Sequence, residues 1–131
     1  GGGGAYEAPA HAARALGALA AACCGERPAD PPAEVKRLEH HIYEAIPICA
    51  AMMRAPLSPS ERAGAFYFYA KVATASGAFA GAAGAADGAI TGLLEAMAQA
   101  GGEVKPKDVN AVSAAAAAAV ASLHALSLRA E

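Results

Sequence analysis

The sequence predicts an all-α protein, specifically an up-down four-helix bundle. Three observations lead to this fold class. Of the 131 residues, 41 are alanine, which has the best intrinsic helix propensity. Apolar side chains recur at three- and four-residue spacing along most of the chain, which is typical of amphipathic helices. No segment shows the apolar–polar alternation of a half-buried strand.

The length of the chain fits a single domain. We expect residues 1–5 to be a flexible glycine leader and residues 6–131 to form the helical bundle. Leu, Ile, Val and Phe together number only 22, so the core should be thin and its stability modest. A partner or a covalent cross-link would then add to the stability.

The first helix is predicted from Tyr6 to about Cys24, with its apolar face formed by Leu16, Leu19 and Cys23. Gly25 is suited to cap its C-terminus. Residues 25–32 are rich in proline, which predicts a connector that continues neither helix.

The second helix is predicted from Ala33 to Arg54. Its apolar side chains repeat every three or four residues, as on the inner face of a bundle helix: Val35, Leu38, Ile42, Ala45, Cys49 and Met52. Charged residues, Lys36 and Arg37 among them, fall outside that face. Pro47 lies within the pattern and should kink the helix, because it removes a backbone donor.

The third helix begins with the clearest local signal in the chain. Ser58 can cap, Pro59 suits the first helical position and Glu61 completes a capping box. The helical pattern then continues to Ala100, and a straight helix of that length would extend about 63 Å at 1.5 Å per residue. We therefore predict a long third helix that is broken or bent between Gly81 and Gly88.

The last helix follows Gly101-Gly102 and opens at Lys105-Pro106-Lys107-Asp108. Six residues are predicted to form its buried face: Val109, Val112, Ala116, Val120, Leu123 and Leu126. Arg129 would place a cation near its C-terminus. The total is four helices, with five as the alternative count.

Five glycines, Gly77, Gly81, Gly84, Gly88 and Gly92, recur at three- and four-residue spacing and would share one helix face. Small residues on a helix face let another backbone approach closely. A membrane span is disfavoured here, because the uncharged stretch 72–86 is shorter than the roughly 20 residues that a span needs. Tight helix–helix packing is the favoured interpretation.

The charge distribution argues against several classes of function. Lys and Arg number 10 and Asp and Glu 12, so there is no basic excess of the kind that binds nucleic acid. His40 and His41 with Glu39 and Glu44 could suggest a metal site, but a closed site needs about four convergent ligands. A solvated polar face is favoured. We predict no metal site and no cofactor.

Catalysis also finds little support in the sequence. There is no strand–turn–helix nucleophile motif and no glycine-rich phosphate loop. We therefore predict that the protein is not an enzyme and that it works by binding.

The aromatic run Phe66-Tyr67-Phe68-Tyr69 holds four of the seven aromatic residues. Most of it should be core or boundary packing. Tyr67 or Phe68 could nevertheless contact a partner, because tyrosine is enriched at interfaces. Lys36 and Arg37, on the exposed side of the second helix, are further candidate contacts.

The three cysteines are Cys23, Cys24 and Cys49. One disulfide with one free thiol and three reduced cysteines are equally compatible with that number. If a disulfide forms, Cys24 and Cys49 are the better candidates, although Cys23 could replace Cys24. Joining the first two helices would add about 2–4 kcal/mol in typical cases.

The layout resembles the extrinsic four-helix proteins of photosystem II, in the PsbQ-like group and especially its form in diatoms and related algae. A first helix opens with Tyr6-Glu7 and ends near cysteine, and Glu34-Val35-Lys36-Arg37 leads into the second. Leu57-Ser58-Pro59 opens a long third helix, and Gly101-Gly102 leads through Lys107-Asp108-Val109 into the last.

This resemblance covers about residues 6–128 and includes no catalytic or ligand motif. It implies a non-catalytic subunit that docks on the lumenal side of a thylakoid photosystem, most closely photosystem II. Such a subunit would contact the photosystem core and other extrinsic subunits, peripheral to the membrane, and would stabilise the complex or shield its oxygen-evolving centre. A subunit of photosystem I or of another organellar complex is an open alternative. The N-terminus without Met would fit a processed lumenal protein.

A second hypothesis comes from a different class of protein, the four-helix membrane-targeting domains of large bacterial toxins and effectors. These bundles touch anionic lipid with a basic and aromatic tip. Such a tip could be formed here by Arg54, Arg62, Phe66, Tyr67 and Lys71. The nearby Glu61 weakens this hypothesis.

Overall fold

The computed structural model describes residues 7–23 and 31–128, and within these ranges every regular element is helical. The elements are α1 (Glu7–Cys23), α2 (Ala33–Arg54), α3 (Pro59–Ala75), α4 (Gly77–Ala85), α5 (Ala89–Ala100), a 3-10 turn (Pro106–Asp108) and α6 (Val109–Leu128). The predicted all-α class is confirmed. The predicted leader and the Gly25 cap lie outside the described residues.

The capping box at the start of α3 is confirmed. The backbone N–H of Glu61 donates to the Ser58 hydroxyl at 3.3 Å, and the backbone N–H of Ser58 donates to the Glu61 carboxylate at 3.0 Å. Two backbone donors that the helix cannot satisfy are paired in this way. The Glu61 side chain is buried, so α3 starts at a fixed place in the core.

The predicted long third helix is divided into α3, α4 and α5. One break, at residues 86–88, falls where the glycines predicted it, and Gly88 has a φ of 75° there. A second break at Ser76 was not predicted. Ser76 has an extended backbone and its hydroxyl accepts the backbone N–H of Phe79, which starts α4.

The chain turns back on itself at Ser76. The hydroxyl of Tyr69 in α3 donates to the carbonyl of Ala83 in α4 at 3.1 Å. In a continuous helix these residues would lie about 21 Å apart at 1.5 Å per residue. Helix α4 therefore packs beside α3 instead of extending it.

Helix α3 is the centre of the fold, because α1, α2, α4 and α6 all pack against it. Two close approaches fix the direction of α1. A Cβ added at Gly64 would lie 2.9 Å from the Ala10 Cα, and one added at Gly17 would lie 2.9 Å from the Phe68 Cα. Early residues of α1 therefore contact early residues of α3, and later residues contact later ones, so the two helices run in the same direction.

Large side chains in the core come mainly from α2 and α3. The largest fully buried side chains are Tyr69, Phe68, Phe79, Ile42, Ile46, Met53, Leu93 and Val72. Alanine supplies much of the remaining core, as the composition predicted. The predicted inner face of α2 is confirmed, since Ile42, Cys49 and Met52 are buried.

The interpretation of the five glycines as one helix face is wrong, because the helix is broken among them. A Cβ added at Gly81 would meet nothing within 4 Å, whereas Gly92 lies against Arg54 and Met53. The closest backbone approaches occur instead at Gly17 and Gly64.

Candidate functional site

Helix α6 is only partly oriented as its apolar pattern predicts, because Val112 is buried and Leu123 and Leu126 pack half-buried against the core. Val109 and Val120, placed on the buried face by periodicity, are 45% and 51% exposed. The residues that face α3 and α5 are mostly small: Val112, Ala115, Ala119, Ser122 and Ala125. Small side chains let the helices approach closely, and Val109 and Val120 lie outside this contact.

Helix α5 also exposes some of its larger apolar side chains. It buries Ala89, Gly92, Leu93 and Ala96. Three larger apolar residues at i, i+4 and i+7 spacing, Ile90, Leu94 and Met97, form an exposed stripe along the helix. We call the exposed sides of α5 and α6 the α5–α6 face.

The α5–α6 face carries almost no charge. Helix α6 contains no Asp, Glu, Lys or Arg from Val109 to Leu128, and α5 contains only Glu95. Within the described ranges one stretch, Pro106–Leu128, is long and apolar enough to cross a membrane by length and composition, with a mean hydropathy of 1.7. This is weak evidence for a span by itself. Only 28% of the apolar window is buried in the fold.

The Tyr67 ring contacts two cations, one from α1 and one from α3. The Arg14 guanidinium carbon and the Lys71 ammonium nitrogen are each 5.4 Å from the centroid of the Tyr67 ring. Both distances are within the range of cation–π contacts. Tyr67 is half-buried, so one part of the ring is packed and another remains accessible.

The other residue predicted as an aromatic contact, Phe68, is fully buried and packs edge-on against Tyr69. It cannot contact a partner while the bundle is closed, so Phe68 is corrected to a core residue. Phe66 is buried as well. The predicted contacts Lys36 and Arg37 are exposed in the first turns of α2, and their role stays a prediction.

The thiol of Cys49 is buried and free in the structure. Burial raises its pKa from 9.0 to about 12, so it stays protonated at neutral pH. Burial, with a smaller effect from the neighbouring Cys49, also raises the pKa of Tyr69. Cys24 lies outside the described residues, so the Cys24–Cys49 disulfide stays a prediction.

The polar group on α2 is exposed to solvent. His40 Nε2 and His41 Nδ1 approach the Glu44 carboxylate at 3.4 and 3.6 Å. Over residues 7–23 and 31–128, no group of three or more His, Cys, Asp or Glu side chains could hold a metal ion.

The basic residues proposed for a membrane-binding tip do not gather at one place. The Arg62 guanidinium donates to the Gln99 side chain at 3.5 Å, while the Arg54 side chain lies against Gly88 and Gly92. Lys71 instead faces Tyr67 and α1. The buried Phe66 could not insert into lipid from this position.

No family model matches this chain, and neither the curated proteins nor the solved structures give a match. A proposal for the function therefore rests on the described surfaces and on the resemblance in layout.

The sequence pattern missed two features of the surface. Arg14 was not singled out, since nothing local pairs it with Tyr67, which is more than fifty residues away in the chain. The α5–α6 face was missed because its larger apolar residues were assumed to point inward. A signal was present, however: the absence of charge over residues 109–128 left α6 without a polar side.

Proposed function

We propose that this chain is a non-catalytic accessory subunit that docks on a larger protein assembly through the α5–α6 face. The observation that supports this is the exposure of Ile90, Leu94 and Met97 on α5 and of Val120 on α6, two helices whose buried residues are mostly small. Contiguous exposed apolar surface on a soluble domain marks an interaction site more often than chance exposure of single residues does.

The energetics favour a protein partner. Full burial of each large apolar side chain contributes about 1.5–3 kcal/mol, and little charge must be desolvated on this face. Alanine and serine between the larger residues of α6 allow a partner helix to approach closely. Lipid offers less, because alanine gains little from transfer into hydrocarbon.

The assembly that the resemblance indicates is an algal photosystem, with photosystem II the closest case. In this proposal the subunit lies in the thylakoid lumen of the chloroplast, peripheral to the membrane. There it stabilises the complex or shields the oxygen-evolving centre, without a cofactor of its own.

The up-down helix order belongs to the same proposal. Helices α4 and α5 together would form the arm that returns from α3, in place of a continuous long third helix. The common direction of α1 and α3 supports this order, because alternate helices of an up-down bundle run the same way.

The alternative function, a membrane-targeting domain that binds anionic lipid, has weaker support. Arg54 and Arg62 contact different parts of α5, and Phe66 is buried. A basic aromatic tip would require these side chains to converge on one exposed end.

Rebinding to salt-washed photosystem II particles from a diatom tests the proposal. The unchanged chain should rebind, and a Leu94→Glu/Val120→Glu variant should lose most of that binding. An Ala33→Glu/Ala51→Glu variant is the matched control, because it adds the same charge at exposed positions of α2. Both variants should keep the circular dichroism and melting curve of the unchanged chain.

Three outcomes would contradict parts of the proposal. Failure of the unchanged chain to rebind would contradict the photosystem assignment. Equal rebinding of both variants would contradict the α5–α6 face as the docking surface. Flotation with vesicles containing phosphatidylglycerol, combined with no rebinding, would favour the membrane-targeting alternative.

A further inference from the structure

Arg14, Tyr67 and Lys71 form a cluster that the docking face does not use. Arg14 comes from α1, and the other two residues lie one helical turn apart on α3. Both cations contact the same ring at 5.4 Å. Because two helices contribute, the cluster exists only when α1 is seated on α3.

The helix crossing holds the cluster in place. A Cβ added at Gly17 would lie 2.9 Å from the Phe68 Cα and 3.5 Å from the Lys71 Cβ, so the two backbones nearly touch there. Arg14 precedes Gly17 by one turn and therefore lies beside Tyr67 and Lys71. The fold thus fixes the relative positions of the two cations before any ligand arrives.

The two positive charges lack a carboxylate within the described part of the chain. The charged groups of Arg14 and Lys71 each contact the Tyr67 ring. A cation–π contact contributes about 0.5–1 kcal/mol at an exposed site, which leaves the hydrogen-bonding capacity of both cations unused. An anionic group placed between them would engage both.

We propose that this cluster binds an acidic side chain of the partner protein, and the inference rests on the proposed accessory-subunit function. A carboxylate would accept hydrogen bonds from the guanidinium and the ammonium, and the Tyr67 hydroxyl would be a third donor. The cluster is a second contact, chemically distinct from the uncharged α5–α6 face.

A protein carboxylate fits the cluster better than an anionic membrane does. Membrane-binding polybasic segments use about 4–8 Lys or Arg residues, whereas this cluster has two. The residues of α1 that share the side of Arg14 are His11 and Ala18, and neither would anchor in lipid.

Titration of the full chain with a capped oligoglutamate peptide, followed by amide chemical shifts at low ionic strength, tests this inference. Shifts should concentrate on α1 around Arg14 and on α3 around Lys71. An Arg14→Gln/Lys71→Gln variant should weaken binding about tenfold, as expected for two exposed charged contacts. A Lys105→Gln/Lys107→Gln variant removes the same charge elsewhere and should bind like the unchanged chain.

Several outcomes would overturn the inference. Equal weakening by both variants would mean that only net charge matters. Saturable shifts with inorganic phosphate but none with the peptide would assign the cluster to a small anion. Flotation with phosphatidylglycerol vesicles that is lost in the Arg14→Gln/Lys71→Gln variant would assign it to a membrane.

This test is independent of the docking experiment. The chain could bind the peptide through Arg14 and Lys71 and yet fail to rebind photosystem particles. That result would support the anion-binding cluster and contradict the photosystem assignment. The melting curve of each variant separates loss of binding from loss of fold.

Discussion

Helices α2 and α3 contribute most of the large side chains of the core, whereas α5 and α6 bury mainly small residues, together with Leu93 and Val112, and expose several larger apolar ones. The first pair contributes Ile42, Ile46, Phe68 and Tyr69 to the core. Helix α6 packs against α3 mainly through alanine and serine, and α5 packs against α2 and α6. The difference separates two tasks: α2 and α3 supply most of the stability, and the outer helices present an uncharged surface.

Truncating one large residue in each region tests whether the two regions differ in their contribution to stability. Phe68→Ala should cost about 3–5 kcal/mol of unfolding free energy, because it removes a fully buried ring. Leu94→Ala should change stability by about 0.5 kcal/mol or less, as for an exposed position. Urea denaturation of both variants would measure the difference, and similar losses would contradict the assignment of Leu94 to the surface.

Glycine-to-alanine substitutions test which helices approach each other closely through their backbones. Gly64→Ala should cost about 1–3 kcal/mol, because its new methyl group would clash with the α1 backbone at Ala10. Gly81→Ala should be neutral or stabilising by up to about 1 kcal/mol, since alanine is the better helix former and the site is open. Thermal melts of the pair would test this. A loss at Gly81 as large as that at Gly64 would restore the glycine face that the sequence suggested.

The capping box should contribute to the stability of the α3 region. Ser58→Ala removes the hydroxyl that accepts the Glu61 N–H and should cost about 1 kcal/mol. Ser60→Ala, two residues further on, is the control and should cost less. Equal effects in urea denaturation would mean that the cap does not stabilise α3.

The smallest predicted effect at neutral pH concerns the buried thiol. Cys49 should resist thiol reagents in the native state and react only after unfolding. Its pKa is raised from 9.0 to about 12 in the folded protein. Above pH 9 the thiol ionises in the unfolded chain but not in the folded one, so the unfolding free energy is unaffected below pH 9 and falls as the pH rises towards 12. Tyr69 acts in the same direction.

Unfolding free energies measured between pH 8 and 12 should therefore fall with pH, and less steeply in a Cys49→Ala variant. Fast labelling of native Cys49, or a slope unchanged by the substitution, would contradict its burial.

The sequence predicted the elements whose signals are local. The bounds Ala33–Arg54 for α2 match the structure, and the Ser58 capping box is where it was expected. Both depend on proline, serine and glutamate at fixed offsets. The second break was missed because Ser76 resembles an ordinary helical residue until its hydroxyl caps Phe79.

The side of a helix that faces the core was less predictable from this sequence than the bounds of the helix. In α6, alanine occupies nearly every position between Val112 and Val120, so the pattern does not reveal which side is buried. Val120 was therefore placed on the inner face with Val112, but only Val112 is buried. Close packing on α3 selected the alanines instead, and this depends on tertiary contacts that the local sequence does not encode.

Thiol labelling of α6 tests the central claim most directly. In a Cys23→Ser/Cys24→Ser background, Val120→Cys and Ala119→Cys would be labelled alone and with salt-washed photosystem II particles. We predict rapid labelling at position 120 in the free chain, slow labelling at 119, and protection of 120 on binding. Slow labelling at 120 in the free chain, or a rate that the particles leave unchanged, would contradict the α5–α6 face as the docking surface.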